Sequence, residues 1–206
     1  TTSYSVTVTS PDQCSNSAQI TITVNPTPSV NITATNTTIC DGNSTTISAS
    51  SSIPGSSFIW STGDNSPSIT VSPNSTTSYS VTVTSPDQCS NSAQITIIVN
   101  PLPSLSLSAS DQEICQGENI TIQAISNDPN ATYLWSNGSN SNIIIDQPTV
   151  TTNYTVTVTS SDNCTNSAQV QVTVNQNPSV VIIPSSSSIC LNQTATLQIQ
   201  TNIPIA

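Results

Sequence analysis

An internal repeat with a period of about 75 residues is the feature that most constrains the fold of this chain. Residues 1–22 and 76–97 share the identical sequence TTSYSVTVTSPDQCSNSAQITI, and residues 151–172 are a diverged third copy. The spacing holds without insertion or deletion, and it also separates Trp60 from Trp135. A period of this length is too long for a solenoid repeat and suits small domains that each bury their own core. The repeat therefore predicts an array of domains.

Proline-containing stretches recur at the same spacing and mark the predicted joints between domains. Proline fixes φ and biases the preceding residue toward extended conformations, so NPTP, NPLP and NQNP are predicted to be short, stiff linkers. Cutting there predicts complete repeats at 28–102 and 103–177. Residues 1–27 are then the C-terminal part of a preceding repeat, and residues 178–206 are the N-terminal part of a following one. We expect the sequence to be a segment of a longer repetitive protein.

Alternating β-branched residues within each repeat predict an all-β fold. In residues 28–102, Tyr79, Val81 and Val83 alternate with Ser and Thr, and Gly, Pro, Asn and Asp separate such runs. No stretch has a helical period. Short strands separated by turns predict tandem immunoglobulin-like β-sandwiches. Trp60 is then expected in the core on strand C, and Tyr79 at the start of strand F, as in a tyrosine corner.

The charge composition excludes several functional classes. The chain has 10 acidic residues, no Lys, Arg or His, and a net charge of −10. Phosphate groups are neutralised by Lys and Arg, so neither nucleic-acid binding nor docking on anionic lipid is expected. No apolar run approaches the roughly 20 residues that cross a bilayer, so membrane insertion is not expected. Without His or Lys, the common nucleophile–base pairs cannot form, and we predict that the chain is not an enzyme.

The acidic residues lie mostly in sequence contexts that are typical of turns. Asp12 and Asp87 stand in SPDQC, Asp41 in CDGN and Asp64 in TGDN. Asp in a turn hydrogen-bonds its own backbone and tolerates the left-handed conformation, so turn formation is the favoured interpretation. A calcium site built from these oxygens is the alternative, although no DxDxDG-like cluster is present. No cofactor is predicted.

The order of motifs in one repeat resembles a known family. The pattern ICDGNSTTISAS, FIWSTG, SITVSP, TTSYSVTVTSPDQC and ITIIVNPLP is similar to the Ig-like or PKD-like repeats of large surface proteins of Bacteroidota. These include gliding-motility adhesins and other cell-surface filaments exported by the type IX pathway. The resemblance covers the whole chain. It implies a secreted, elongated protein at the cell surface, and it carries over no catalytic residue.

Six cysteines without His or a C-x-x-C motif predict disulfides in an oxidising compartment. Cys40–Cys89 and Cys115–Cys164 would each close a loop of about 50 residues within one repeat, worth about 4 kcal/mol. In a seven-strand sandwich, however, the A–B loop with Cys40 and the F–G turn with Cys89 lie at opposite poles. A six-strand topology, with no strand between Trp60 and Ile69, would bring them to one pole. A Cys40–Cys164 bond between repeats is the alternative, and the pairs within repeats are preferred. Two cysteines are expected to pair outside this window or to stay unpaired: Cys14 and Cys190.

Ten Asn-x-Ser/Thr sequons are candidate glycosylation sites. They are Asn31, Asn36, Asn43, Asn74, Asn119, Asn130, Asn137, Asn153, Asn163 and Asn192. In a chain this rich in Asn, Ser and Thr, many sequons arise by chance, so glycosylation and composition alone both remain open.

The leading hypothesis is a non-catalytic structural segment of a secreted, repetitive cell-surface fibre or adhesin stalk. Its edge strands lack the lysines that commonly prevent pairing between sheets, so self-association into fibres is expected, with little dependence on salt. One alternative is a carbohydrate-binding adhesion module that recognises surface glycans at its loop tips. Tyr133 is the single aromatic candidate there, and it is also a candidate core residue of strand C. The other alternative is an accessory region of a secreted hydrolase.

Overall fold

The computed structural model describes residues 1–184 and 188–202, and the regular elements in this part of the chain are all β-strands. The chain divides into two compact units, Thr1–Pro101 and Leu102–Ala206. Residues 185–187 and 203–206, which belong to the predicted last segment, lie outside the described residues.

The first unit contains one hairpin and one sandwich. The hairpin consists of β1 (Thr2–Thr9) and β2 (Ser15–Ile22), paired antiparallel from Thr2↔Ile22 to Thr9↔Ser15. Seven further strands form the first sandwich: β3 (Val30–Ala34), β4 (Thr38–Cys40), β5 (Thr45–Ser51), β6 (Ser57–Trp60), β7 (Ser68–Val71), β8 (Thr77–Thr84) and β9 (Ser90–Asn100). One sheet has the order β3-β5-β7 and the other β4-β9-β8-β6.

The second unit contains a sandwich of the same topology and a second hairpin. The sandwich strands are β10 (Leu105–Ala109), β11 (Glu113–Cys115), β12 (Ile120–Ser126), β13 (Thr132–Trp135), β14 (Ile143–Asp146), β15 (Thr152–Thr159) and β16 (Thr165–Asn175). Their sheets have the orders β10-β12-β14 and β11-β16-β15-β13. The hairpin pairs β17 (Val180–Pro184) with β18 (Leu197–Thr201).

This strand order is that of an immunoglobulin-like sandwich. In the strand letters of the immunoglobulin fold, the three-stranded sheet β3-β5-β7 is A-B-E and the four-stranded sheet β4-β9-β8-β6 is A′-G-F-C. The same letters apply to the corresponding strands of the second sandwich. The first strands of the two sandwiches begin at Val30 and Leu105, and their F strands begin at Thr77 and Thr152, so both pairs of starts keep the spacing of the sequence repeat. The predicted fold class, tandem immunoglobulin-like β-sandwiches with a period of about 75 residues, is therefore confirmed.

Alternation along the strands places the apolar side chains between the sheets. In the first sandwich Trp60, Tyr79 and Val81 are buried together with Ile47 and Ile97. The Trp60 indole N–H is satisfied because it donates to the Ser66 carbonyl at 2.8 Å. The predicted core roles of Trp60 and Tyr79 are confirmed, and the second sandwich repeats this core.

The opposite face of the F–G strand pair carries paired hydroxyl groups in both sandwiches. On the first sandwich, Ser78 hydrogen-bonds Thr96 across the strands at 2.8 Å, and Thr82 hydrogen-bonds Ser92 at 3.0 Å. These cross-strand pairs are the units that stabilise a solvated sheet face without any charged residue.

Strand A′ was not expected from the sequence, which placed Cys40 in a loop between strands A and B. Thr38–Cys40 instead forms β4, which pairs in parallel with the end of β9 at Ile98–Asn100. Each sandwich thus has seven strands, because A′ is added to the six expected ones. No strand lies between Trp60 and Ile69, as the six-strand topology required, but Cys40 and Cys89 are still not brought together.

The F–G turn contains the SPDQC sequence, whose aspartate was predicted to tolerate the left-handed conformation of the turn. The left-handed residue is not the aspartate but the residue that follows it, Gln88 at φ 65°. Its N–H donates to the Ser85 carbonyl at 2.9 Å, and Gln13 and Asn163 adopt the same conformation in the other copies.

Candidate functional site

The cysteines lie at two recurring places in the sandwich. Cys40 ends β4 and pairs in register with Asn100, the last residue of β9, whereas Cys89 immediately precedes the first residue of that strand. An 11-residue strand rises about 3.3 Å per residue, so the two cysteines lie far beyond the roughly 7 Å between Cα atoms that a disulfide spans. Cys115 and Cys164 occupy the same two places on β16.

The preferred pairs within repeats are therefore wrong. Cys89 and Cys115 are free thiols, as are Cys14 and Cys190. Cys40 and Cys164, the two residues of the alternative pairing, are disulfide-bonded. Sequence spacing could not choose between the pairings, because the choice depends on which end of strand G each cysteine occupies.

The linker that precedes each sandwich is anchored to strand G of that sandwich. Pro28 is buried, and its carbonyl accepts a hydrogen bond from the Asn91 side-chain amide at 3.0 Å. The sulfur of Cys89 lies 3.8 Å from the Asn25 carbonyl, at the other end of the same NPTP linker. In the second unit Pro103 is also buried, and Asn166 donates to its carbonyl at 3.0 Å. Two of the three predicted linkers, NPTP and NPLP, are thus anchored on the sandwich that follows them.

The core tyrosines differ in how their hydroxyl groups are held. The Tyr154 hydroxyl donates to a carboxylate oxygen of Asp146 on β14 at 2.8 Å. Burial raises the pKa of Tyr154, and the hydrogen bond and negative charge of Asp146 raise it further. A tyrosine corner bonds to backbone, so this arrangement departs from the expected one. The first sandwich has Val71 in the place of Asp146, beside Tyr79.

A second carboxylate of the second sandwich joins two loops. One Asp128 oxygen accepts from the Ser161 backbone N–H at 2.7 Å and from its hydroxyl at 3.0 Å, while the other accepts from the Asn130 backbone N–H at 2.9 Å. The Ser161 and Asn130 backbone N–H groups hold the pKa of Asp128 below its usual range. The first sandwich has Ile53 and Pro86 at the positions of Asp128 and Ser161.

A groove lies beside these loops on the second sandwich. Its volume is about 510 Å³, and its lining includes Tyr133, Asp128, Asn142 and Gln123. Tyr133 is half-buried, because it also packs against the core. Tyr133 therefore does not lie at a loop tip: it is on β13, where it contacts the core and also forms a wall of the groove.

Each of the ten sequon asparagines is exposed. They are Asn31, Asn36, Asn43, Asn74, Asn119, Asn130, Asn137, Asn153, Asn163 and Asn192. Burial therefore blocks none of these candidate glycosylation sites.

The described part of the chain contains no group of three or more Cys, Asp or Glu side chains that could hold a metal ion. Among the same residues, no helix is long and apolar enough to span a membrane.

The outer faces of the two A-B-E sheets are unlike each other. In the second sandwich Ile125, Ile143 and Ile145 project outward from β12 and β14 and are exposed. The corresponding residues of the first sandwich are Ser50, Ser68 and Thr70. Nothing in the sequence pattern distinguishes such an outward isoleucine from a core residue, because both faces of β14 are apolar.

Comparison with known proteins gives similarity at the level of the fold. No family model matches the chain, and no curated protein matches it. Among solved structures, it is similar to murine CEACAM1b at 13% identity and a TM-score of 0.35, over 72% of this chain and 100% of that one. It is also similar to the three N-terminal domains of the highly immunogenic outer capsid protein of bacteriophage RB49, at 16% identity and a TM-score of 0.35, over 87% of this chain and 70% of that one.

A further similarity is to the C-terminal 282-residue fragment of intimin, solved in complex with the intimin-binding domain of the translocated intimin receptor. The identity is 14% and the TM-score 0.44, over 77% of this chain and 67% of that one. The strand order identifies the immunoglobulin-like sandwich, and nothing about function follows from these similarities.

Proposed function

We propose that this chain is a non-catalytic structural segment of a secreted, repetitive cell-surface fibre or adhesin stalk. Residues 28–102 and 103–177 are its complete repeats, and residues 1–27 and 178–206 are parts of neighbouring ones. The supporting observation is the recurring linker anchor. Pro28 and Pro103 are both buried in the sandwich that follows, and an asparagine on strand G holds the carbonyl of each.

An anchored linker suits a spacer, because it reduces the freedom of the chain between one module and the next. The rest of the repeat suits the same role. Each sandwich buries its own core, and hydroxyl groups hydrate its outer F–G face. A disulfide fits an oxidising, extracellular compartment.

Two surface properties belong to this proposal. The exposed sequon asparagines carry glycans that hydrate a surface with few charges. The chain also self-associates, because its edge strands have no lysine to prevent pairing with another copy.

Immunogold electron microscopy of cells that produce the protein tests its location and form. We expect label along filaments outside the cell, and label confined to the cell interior would contradict the proposal. Intact mass of the secreted protein tests glycosylation separately. We expect a mass above that of the bare chain by discrete sugar increments. A mass equal to that of the bare chain with its disulfide would contradict glycosylation.

The groove beside Tyr133 favours a second candidate function, carbohydrate binding. A sugar ring stacks on an aromatic face, accepts hydrogen bonds from amide N–H groups and donates its hydroxyls to carboxylates. Tyr133, Asn142 and Asp128 bring these groups together. The corresponding residues of the first sandwich, Phe58, Pro67 and Ile53, offer no polar group.

Calorimetric titration with a panel of neutral oligosaccharides tests this candidate. Tyr133→Ala should abolish binding, while Phe58→Ala, at the corresponding position of the first sandwich, should leave the affinity unchanged. Absence of binding to the unaltered chain, or equal loss in both variants, would reject a site in this groove.

A further inference from the structure

Strand β14 is one edge of the A-B-E sheet of the second sandwich, and its backbone is open on the side away from β12. Thr121 of β12 lies opposite Ile145 but bonds to Ser110, just after β10: its carbonyl accepts from the Ser110 N–H at 2.9 Å, and its N–H donates to the Ser110 hydroxyl at 3.2 Å. Backbone groups alternate in direction along an antiparallel pair, so the N–H and C=O of Ile145 and Ile143 point away from β12. Within the described residues, nothing bonds to the Ile145 backbone groups, whereas the Ile143 N–H donates to the Ser141 hydroxyl at 3.2 Å. This open edge can accept a further strand.

The outward face beside the open edge is apolar in the second sandwich and polar in the first. Ile125, Ile143 and Ile145 are 52%, 40% and 71% exposed. In the first sandwich the corresponding positions all carry hydroxyl groups, and the Thr70 hydroxyl of β7 is bonded to that of Thr46 at 3.3 Å. Both E strands are sheet edges, so strand addition to β14 buries isoleucines that strand addition to β7 does not. Since β14 lies within the complete repeat 103–177, this face is a property of that repeat.

The charge of the chain indicates which partner fits this edge. The net charge is −10 without any Lys, Arg or His, so two copies approach most readily where no carboxylate faces outward. The outward positions of β12 and β14 are all uncharged: Thr121, Gln123, Ile125, Ile143 and Ile145. The carboxylate of β14, Asp146, lies on the inner face and accepts from the Tyr154 hydroxyl at 2.8 Å. The edge therefore suits an uncharged, apolar, extended strand, and β14 of a second copy is such a strand.

We propose that β14 of one copy pairs antiparallel with β14 of a second copy about a two-fold axis at Ile144. The two A-B-E sheets then form one six-stranded sheet. Ile143 lies opposite Ile145 of the second copy, and their backbone groups exchange a pair of hydrogen bonds, which the two-fold axis repeats. The Ile145 groups gain a partner, while the Ile143 N–H exchanges the Ser141 hydroxyl for a carbonyl. This inference rests on the self-association included in the proposed function and names the surface through which it occurs.

The axis at Ile144 is favoured over the neighbouring registers by apolar contact and by charge. It places each isoleucine of β14 opposite an isoleucine, and it places the two Asp146 carboxylates about 13 Å apart along the strands, beyond the ~8 Å screening length at physiological salt. An axis at Ile145 brings these carboxylates to about 7 Å. An axis at Ile143 leaves Ile145 opposite Ser141. A shift that places outward residues opposite inward ones is excluded, because the side chains alternate with a period of two.

The two-fold contact is isologous, so it closes after two copies and by itself gives dimers. In a longer array it joins two chains side by side, through the repeat that has the isoleucine edge. It thus supplies a lateral contact within a fibre.

Sedimentation velocity over a range of concentrations tests the edge. The unaltered chain should show a monomer–dimer equilibrium. Ile145→Glu should weaken the dimer by at least about a hundredfold, because it brings like charges together in the contact. Thr70→Glu, at the same position of β7, is the matched control and should leave the dimer unchanged. The fluorescence of Trp135 should be the same in all chains, because the Ile145 side chain points away from the core.

Removal of one backbone donor separates strand pairing from stacking of two apolar faces. Ile145→Pro removes the N–H at the open edge and no bond to β12, and proline is tolerated at such a position of an edge strand. It should abolish the dimer, whereas Ile145→Val, which keeps the N–H, should retain it. A proline variant that folds and dimerises like the unaltered chain would overturn the proposal.

Designed disulfides test the register in chains whose four free thiols are changed to Ser, namely Cys14, Cys89, Cys115 and Cys190. One such chain carries Ile143→Cys and another carries Ile145→Cys. With an added thiol oxidant, a mixture of the two should give a covalent dimer, because opposite residues lie about 5.5 Å apart at Cα. Each chain alone should give far less, since its two cysteines lie diagonally, about 7–8 Å apart. Equal yields in all three samples, or no covalent dimer in any, would contradict the register.

The outcomes separate this inference from the proposed function. If the unaltered chain associates and Ile145→Glu associates equally well, association runs through another surface. The β14 proposal is then wrong, and fibre formation stands. If the unaltered chain is monomeric at all concentrations, both the β14 proposal and the self-association part of the function are wrong.

Discussion

Residues 1–22 and 76–97 are the same sequence in two environments. Both form an antiparallel hairpin with the same register, since Tyr4 pairs with Ile20 as Tyr79 pairs with Ile95. Among the described residues of the first unit, the A-B-E sheet faces the second copy, whose apolar face is buried, whereas that of the first copy is exposed. The comparison shows that strand pairing follows from local pattern and turn, whereas burial depends on distant strands. It also supplies matched variants, because one substitution can be made at identical sites.

Substitution of the isoleucine at the end of the hairpin should have the largest effect on stability. Ile97 is fully buried, and Ile97→Ala should lower the free energy of unfolding of the first sandwich by about 2–5 kcal/mol through lost burial and a cavity. Ile22→Ala changes the same residue of the exposed copy and should cost less than about 0.5 kcal/mol. Denaturant unfolding, followed by Trp60 fluorescence in a chain with Trp135→Phe, measures both. Equal losses would mean that the two copies are buried alike.

The diverged third copy sharpens the comparison at its tyrosine. Asp146→Val recreates the surroundings of Tyr79 and leaves the buried Tyr154 hydroxyl without its carboxylate acceptor, at a cost of about 1–3 kcal/mol. Adding Tyr154→Phe should recover most of that loss, because no unpaired donor remains. Thermal unfolding of the single and double variants measures this. A double variant no more stable than Asp146→Val would contradict the role of the hydrogen bond.

The pH dependence of the Asp128 contact should be the smallest effect. Its pKa is lower in the folded chain than in the unfolded one, so its contribution is present above the ordinary range of an aspartate carboxyl. That contribution is lost as the pH falls through the lowered value. The unaltered chain should therefore melt slightly above Asp128→Asn at pH 7, and the two should converge in acid, once the pH is below the lowered pKa of Asp128. A difference that persists in acid would show that the carboxylate charge is not responsible.

The sequence was sufficient where the relevant contacts are local. Alternation of Tyr79, Val81 and Val83 predicted strand F and its buried face, and the Trp60 motif predicted strand C. Strand A′ was missed because three residues have no periodic signal and because Thr38–Cys40 becomes a strand only through pairing with residues about 60 positions later. The predicted cysteine pairs within each repeat were wrong for the same reason, because the long-range pairing of strand A′ places Cys40 at the far end of strand G from Cys89.

The candidate contact sites also divide into those that the local sequence predicts and those that depend on residues far apart in the chain. The sequons and the groove aromatic Tyr133 could be named from the sequence, although Tyr133 lies on β13 and not in a loop. The role of Asp128 could not, because its partner Ser161 lies 33 residues away in a different loop. The outward face of Ile143 and Ile145 is a further case, since only the position of β14 at the edge of its sheet decides which side is exposed.

Hydrogen exchange measured at high dilution tests the central claim most directly, namely that distant strands and not the hairpin sequence determine protection. The two copies can be told apart in peptides that extend by one residue, because Thr23 in the first corresponds to Ile98 in the second. An isolated two-stranded hairpin is marginally stable, so amides of β8 should exchange about a thousandfold or more slowly than those of β1. Equal protection of the two copies in monomeric protein would contradict the account.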